Sequence, residues 1–188
     1  IHGGLEHVLQ LVLVLGRHQD QVGQRAQVGE VVGPLVGRAI GAHQTGAVER
    51  VQLREGAVFG TPVAVALAEG RSNTPFGVTT RGSNVYVTFA DSDTIGLVKN
   101  DRQTAFAAVG IPGGTGQHAP CWIAVVGPYL FTTNSPSHSV SRLIAGGANI
   151  LLDDPVAAQT AGAPIDVAAE GDLLALVESD GGGASHLT

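Results

Sequence analysis

The stretch "HAPCWIAV" places the chain's only cysteine, Cys121, three residues after His118 and beside the only tryptophan, Trp122. A cysteine acts as a nucleophile when a neighbouring histidine lowers its thiol pKa, so this spacing could support covalent catalysis. In the internal repeat described below, however, Cys121 aligns with Phe76 and Ile165, which are both apolar. The alignment favours a packing role for Cys121 over a catalytic one.

Other side chains could supply acid–base chemistry. Glu178 follows the apolar run "LLALV". Because a buried unpaired charge is costly, we expect this carboxylate to be exposed, paired, or a general base with a raised pKa. A base that activates water also needs a donor to hold the developing oxyanion, and Arg142 and His118 could donate such a hydrogen bond. Solvation at the surface is the alternative.

Cofactor and metal motifs are weak or absent. "GTGQHA", which ends at Ala119, matches the G-x-G-x-x-A dinucleotide fingerprint, but that fingerprint requires a helix directly after it to hold the pyrophosphate. Pro120 and the strand-like "CWIAVV" follow instead. The seven histidines form no H-E-x-x-H or paired Cys/His spacing, and no G-x-S-x-G turn is present. We therefore predict neither a cofactor nor a metal site.

The candidate residues lie in an internal repeat. Pro75, Pro120 and Pro164 are 45 and 44 residues apart, and eleven residues after them come "YVTF", "FTTN" and "ALVE". A period near 44 built of short apolar strands and glycine turns is typical of four-stranded propeller blades. Helical solenoids share the period, but no window here supplies a long helix. We predict an all-β partial β-propeller, with about two full four-stranded blades and parts of two more.

Two places in this repeat hold chemically unrelated side chains. The place two residues after each proline holds Gly77, Trp122 and Asp166. If the first strand of each blade is innermost, this place lies near the central channel, so we predict ligand contact there. Packing between blades by Trp122 and turn capping by Asp166 are the alternatives. The second variable place, at the end of the second strand, holds Phe89, Asn134 and Glu178.

Charge and composition exclude several classes of function. The net charge of −6, the isoelectric point near 5.5 and the single lysine argue against a nucleic-acid partner, which requires clustered Lys and Arg. One cysteine cannot form an internal disulfide, and no run approaches the ~20 apolar residues of a membrane span. No secretory signal is visible, and the sequence leaves cytoplasm and secretion both open.

The chain contains two kinds of sequence. Residues 1–71 contain no Ser, Asn, Tyr, Cys or Trp and are neutral overall, whereas the whole net charge comes from residues 72–188. Apolar spacing from Leu5 to Leu15 allows either an amphipathic helix or a strand. Our hypothesis is that residues 1–56 are an out-of-frame or reverse-strand translation joined to the partial propeller of residues 57–188. Sequencing the source DNA would test it.

Residues 57–188 resemble the lactonase-like seven-bladed β-propellers, a group that includes 3-carboxymuconate lactonizing enzymes and the propeller form of 6-phosphogluconolactonase. The resemblance rests on "TPFGV", "APCWIAV", "YLFTTNSPSHSVSRL", and "GAPIDVA" before "LLALVES". Related surface-layer propellers carry a Tyr-Val-Thr-Asn signature. This chain has "YVTF", with Phe89 in place of Asn, and "FTTN", which ends on Asn134.

The resemblance implies a parent protein that hydrolyses or forms a sugar or muconate-type lactone without a cofactor, using a channel-facing carboxylate as base and Arg or His as electrophilic partners. The candidate catalytic residues are Glu178, Asp166, His118 and Arg142. The candidate ligand-binding residues are Trp122 and Asn134. The alternative is a non-catalytic binding or surface scaffold. The chain alone should not turn over 6-phosphogluconolactone, because most of the ring is absent, and open blade edges should favour self-association.

Overall fold

The computed structural model describes residues 9–15, 46–54, 57–110, 114–180 and 185–187. Within these residues the chain forms fourteen strands in four antiparallel sheets, together with two 3-10 helices of three residues each. The predicted all-β class is confirmed. Residues 1–8 and 16–45, on which much of the N-terminal hypothesis depends, lie outside the described residues, so that hypothesis stays a prediction.

Each sheet is a run of strands in chain order, and we call the four sheets blades I to IV. Blade I contains β1 (Leu9–Leu15), β2 (Ala47–Arg54) and β3 (Ala57–Ala64). Blade II contains β4 (Pro75–Arg81), β5 (Asn84–Phe89), β6 (Thr94–Lys99) and β7 (Arg102–Ala108). Blade III contains β8 (Pro120–Val126), β9 (Tyr129–Asn134), β10 (Ser139–Gly146) and β11 (Asn149–Gln159). Blade IV contains β12 (Ala163–Glu170), β13 (Leu173–Ser179) and β14 (Ser185–Leu187).

The blades stack through equivalent strands. The first strands of successive blades contact one another, β1 with β4, β4 with β8, and β8 with β12. The fourth strands β7 and β11 also contact each other. Face-to-face stacking of up-and-down sheets, with their first strands adjacent, is the arrangement of a β-propeller in which the first strand is innermost. The described part of the chain is therefore a partial propeller with two four-stranded blades and parts of two more.

Three apolar clusters lie between the blades, one for each junction. The I–II cluster contains Val48, Val65, Val78, Val87, Phe89 and Val98. The II–III cluster contains Tyr86, Ile95, Leu97, Ala107, Val109, Ile123, Leu130, Leu143, Ala145 and Ile150. The III–IV cluster contains Ala124, Val140, Val167 and Leu176. Equivalent places on the first strands of blades II, III and IV hold Val78, Ile123 and Val167. Each of these side chains packs in the cluster that joins its blade to the preceding one, and the alternation of side chains along a strand directs the neighbouring residues to the other face.

The two ends of the blades differ in chemistry. At one end, the turn end, tight hairpins join the first strand to the second, and Gly82, Gly127 and Gly171 adopt left-handed φ values of 59°, 55° and 57° that suit glycine. At the other end, the loop end, polar segments 90–93 and 135–138 connect the second strand to the third. The segments that link one blade to the next also reach the loop end, where polar side chains therefore collect.

Candidate functional site at the loop end

Asp93 and His118 form a hydrogen-bonded pair across the junction between blades II and III. Asp93 ends the connection from β5 to β6, and His118 lies just before β8. Asp93 Oδ2 lies 2.8 Å from His118 Nδ1, and Asp93 Oδ1 accepts the Ala119 backbone N–H at 2.7 Å. The Asp93 side chain is 6% exposed and the His118 side chain 33%. The carboxylate is therefore buried, while part of the imidazole reaches solvent.

Backbone contacts hold both members of the pair. Asp93 adopts a left-handed φ of 51°, which Asp tolerates better than most residues. Its carbonyl accepts the Val109 N–H at 2.9 Å. The His118 N–H donates to Ser137 Oγ, also at 2.9 Å. These contacts fix the backbone from which each side chain of the pair extends.

Part of this geometry is repeated in the neighbouring blades. Asn73 N–H donates to Ser92 Oγ at 2.7 Å, just as His118 donates to Ser137. The place of the carboxylate is taken in blade III by His138, which has a similar φ of 49° and an exposed side chain. The serine contact therefore belongs to the blade architecture, whereas the carboxylate–imidazole pair occurs only at the II–III junction among the junctions that the structure describes.

Glu178 is buried at the loop end of β13. Its side chain is among the largest fully buried ones, with the residue 1% exposed. Glu178 Oε2 accepts the Gly162 backbone N–H at 2.8 Å. A β-carbon on Gly162 would lie 2.6 Å from the Ser179 carbonyl oxygen, so only glycine allows this approach. Of the three expectations for this carboxylate, solvent exposure is wrong, because the strand end is enclosed.

Asn134, at the equivalent place in blade III, is also fully buried. Its Nδ2 donates to Ser139 Oγ at 3.2 Å and to Ser141 Oγ at 2.8 Å. Ser141 Oγ in turn donates to the Pro155 carbonyl at 2.7 Å. The amide of Asn134 therefore joins β9 to β10 and, through a serine, to β11.

In blade II the same place is occupied by an apolar side chain, Phe89. Phe89 is fully buried in the I–II cluster. A β-carbon on Gly96 would lie 2.8 Å from the Phe89 ring, so the neighbouring strand provides space by lacking a side chain. Gly96 is the repeat equivalent of Ser141. The variable place is thus a buried one, and in blades II and III its side chain is matched to the residue on the adjacent strand.

The other variable place faces the following blade. A β-carbon on Gly77 would lie 2.4 Å from the Cys121 carbonyl oxygen and 3.0 Å from Trp122 Cα. The Trp122 ring packs on the III–IV cluster and lies edge-on to Phe76, with ring centroids 4.8 Å apart. Packing constrains this place at Gly77, because the inner strand of the next blade passes too close for any side chain.

Asp166 occupies this place in blade IV and is exposed. Its Oδ1 accepts the backbone N–H of Val167 at 2.7 Å. Since Val167 packs towards blade III, the alternation of the strand directs Asp166 to the opposite face. Its role in ligand binding or catalysis stays a prediction.

Arg142 lies on β10, two strands outward from the inner strand β8. Its Nε donates to Asp153 Oδ2 at 2.6 Å, and its guanidinium lies over the Tyr129 ring at 5.2 Å from the centroid. The hydrogen bond to Asp153 raises the pKa of Arg142 above its ordinary value. Arg142, His118 and Glu178 thus make three separate sets of contacts in blades III and IV and at the II–III junction.

Cys121 behaves as a packed thiol. It is half-buried, and its Sγ donates to the Ala119 carbonyl at 3.1 Å. Burial raises the pKa of the Cys121 thiol, and a hydrogen bond with Ser135 lowers it only in part. A thiol that is protonated near neutral pH is a poor nucleophile, consistent with the packing role that the repeat alignment predicted.

Two threonines in the strand motifs have a structural task that the sequence did not reveal. The first strands of blades II and III bulge at their loop ends. Thr88 Oγ1 accepts the Gly77 N–H at 2.8 Å and donates to the Cys121 carbonyl at 2.7 Å, while Thr133 Oγ1 accepts the Trp122 N–H at 3.1 Å. The threonine shared by "YVTF" and "FTTN" therefore accepts a backbone N–H of the bulge. In blade II it also donates to a backbone carbonyl of the next blade.

Sequence reasoning named His118 but missed its carboxylate partner, Asp93. The signal available was the alignment of "ADSDT" with "SPSHS", two connections between the second and third strands. It shows Asp93 and His138 at one place, but not that this place touches the entry of the next blade. That contact depends on the stacking of blades.

No protein-family model matches the chain, and no curated protein matches it. Among the residues that the structure describes, no helix is long and apolar enough to cross a membrane. The same residues contain no group of three or more His, Cys, Asp or Glu side chains arranged to hold a metal ion.

Proposed function

We propose that the chain is a segment of a lactonase-like β-propeller and that the protein hydrolyses a sugar or muconate-type lactone at the loop end. The observation that carries the proposal is the His118 side chain, which is partly exposed to solvent while buried Asp93 contacts its Nδ1. Lactone hydrolysis needs a group that takes a proton from water, and an oriented histidine is the commonest one. The resemblance of "TPFGV" and "APCWIAV" to this family supports the substrate class.

The loop end is the favourable location because segments of successive blades meet there. Asp93 comes from blade II, and His118 and Ser137 belong to blade III. Loops on a rigid scaffold are where binding and catalytic groups concentrate. The turn end, by contrast, is closed by short glycine hairpins.

Binding to the chain tests this proposal without requiring a closed ring. A sugar lactam, which keeps the shape and carbonyl of a lactone but resists hydrolysis, is titrated while amide signals are followed by NMR. We expect shifts at Ala119 and Ser137 and none at the turn-end glycines Gly127 and Gly171. Shifts confined to the turn end, or none at saturating lactam, would overturn the proposal.

A second candidate function is a non-catalytic binding or surface scaffold. It is favoured by the structural use of polar side chains that could otherwise have been catalytic: Arg142 binds Asp153, and Asn134 binds two serines. A scaffold of this kind should retain its partner when His118 is replaced by Gln. A lactone hydrolase should lose activity with the same change.

We also propose that the chain self-associates through the outer face of blade IV. Leu173 is 74% exposed and Ile165 40% exposed on this blade. Exposed apolar side chains on a blade face favour association, because stacking is how the other blade faces are buried.

A further inference from the structure

We propose that Asp93 holds His118 as the Nδ1–H tautomer, so that Nε2 is the general base that activates water against a lactone or ester carbonyl. Asp93 is then a positioning residue and His118 a catalytic one. This inference rests on the proposed hydrolytic function, which it deepens by assigning the proton-transfer atom.

The hydrogen-bond partners of an ionised Asp93 favour one tautomer of His118. Asp93 Oδ1 accepts the Ala119 N–H at 2.7 Å, and Asp93 Oδ2 lies 2.8 Å from His118 Nδ1. An ionised carboxylate can only accept hydrogen bonds. The proton between Oδ2 and Nδ1 therefore belongs to the imidazole. In the neutral ring the lone pair is then on Nε2, which is the atom that can take a proton from water.

The repeat supplies an internal control against a purely structural role. At the III–IV junction the place of Asp93 is taken by His138, whose carbonyl accepts the Thr160 N–H at 2.8 Å. Ser135 Oγ also donates to the Pro164 carbonyl at 2.5 Å there. That junction is built without a carboxylate–imidazole pair. The pair at the II–III junction is thus additional to what blade stacking requires.

The reaction step balances without a further reagent. Nε2 of His118 takes one proton from a water molecule as the water oxygen bonds to the carbonyl carbon. The ring C–O bond then breaks, and the proton on Nε2 passes to the leaving alkoxide oxygen. The product is the open hydroxy acid and the imidazole is neutral again. Asp93 stabilises the transient imidazolium without taking its proton.

Long-range ¹H–¹⁵N NMR of the histidine rings tests the tautomer directly. We expect His118 of the 188-residue chain to show a protonated Nδ1 and an unprotonated Nε2. In Asp93→Asn the amide can still accept from Ala119 but donates to Nδ1, so the tautomer should invert to Nε2–H. His138→Gln is the matched control and should leave the His118 signals unchanged. A wild-type His118 with Nε2–H would overturn the proposal even if the Asn variant fails to fold.

Hydrolysis of a small activated ester tests the base separately from lactone recognition, since both blades that supply the pair are complete. We expect His118→Gln to lower the rate on the order of 100-fold, with Asp93→Asn similar and His138→Gln unchanged. The wild-type rate should fall in D₂O, as proton transfer requires. Equal rates for wild type and His118→Gln would overturn the inference, even if the lactam binds. A hydrolysis rate that depends on His118 in a chain that does not bind the lactam would refute only the proposed lactone substrate.

Discussion

Gly77 lies where the inner strands of blades II and III approach each other. A β-carbon there would lie 2.4 Å from the Cys121 carbonyl oxygen and 3.0 Å from Trp122 Cα. Both atoms belong to the backbone, which cannot rotate away as a flexible side chain can. Glycine is therefore required by the junction, and its difference from the equivalent Trp122 and Asp166 does not by itself indicate a ligand.

We expect Gly77→Ala to lower the free energy of unfolding by roughly 1–3 kcal/mol, because overpacking against a fixed neighbour is destabilising. Urea denaturation followed by tryptophan fluorescence measures the change. Gly146→Ala is the matched control, because no atom lies within 4 Å of the position that its β-carbon would take, and its effect should stay within about 0.5 kcal/mol. Equal effects of the two substitutions would contradict the argument.

At the scale of elements, adjacent strands share one buried place and fill it together. In blade II, β5 contributes Phe89 and β6 leaves space with Gly96. In blade III, β9 contributes Asn134 and β10 contributes Ser141, whose Oγ lies 2.8 Å from the Asn134 amide nitrogen. The two pairs fill the same place in different ways, and we expect each side chain to pack well only with its own partner.

Transplanting the apolar solution tests this coupling. We expect Asn134→Phe alone to lower the free energy of unfolding by roughly 1–3 kcal/mol, since the ring meets Ser141. Adding Ser141→Gly should recover at least about 1 kcal/mol of that loss, a coupling typical of residues in contact. A double-mutant cycle by urea denaturation measures it. Strict additivity of the two changes would show that the strands are independent at this place.

On the scale of the whole molecule, the main contacts of each described blade are with its neighbours, so the stability of the array is approximately a sum of blades and junctions. Arg50 of blade I donates to Asp101 of blade II at 2.5 and 2.9 Å. This hydrogen-bonded pair lowers the pKa of Asp101. It ties the first blade to the rest of the array through an ion pair as well as through apolar packing.

The I–II ion pair makes stability depend on pH in a defined direction. A carboxyl group whose pKa is lower in the folded state stabilises the fold above its unfolded value of about 4 and loses this contribution as pH falls through the folded value. Asp101→Asn should therefore cost up to about 1 kcal/mol at pH 7 and almost nothing at an acid pH below the folded-state pKa of Asp101. Asn suits the left-handed φ of 59° at this place. Urea midpoints at both pH values give the comparison, and a cost that is the same at both would exclude the ion pair as the cause.

The proposed association through the exposed apolar side chains of blade IV can be tested by substitution. We expect Leu173→Glu to shift the chain towards monomer, because a charge at this 74% exposed position opposes apolar stacking. Leu151→Glu, on the outer strand of blade III and 62% exposed, is the control and should change little. Sedimentation velocity over a range of concentrations measures the shift. A wild-type chain that stays monomeric at the highest concentration reached would refute the proposed association.

Local features of the chain were readable because they depend on neighbours in sequence. Alternating apolar residues indicate strands, and glycine between two strands indicates a hairpin. Gly82 and Gly127 adopt the left-handed φ that such hairpins require. The spacing of Pro75 and Pro120 then gives the blade period. The all-β class and the packing role of Cys121 follow from these features and the repeat alignment.

The sequence by itself determined the repeat, the strands and the residue types at each repeated place. Only the tertiary structure decided which of those residues meet across a junction. Because the blades stack face to face, Asp93 contacts His118 and Thr88 donates to the Cys121 carbonyl. For the same reason Gly77 leaves room for the inner strand of the next blade. Such contacts join residues of adjacent blades, and they depend on how closely the two sheets approach each other. A period within one sequence can predict the blades, but not the distance between their surfaces.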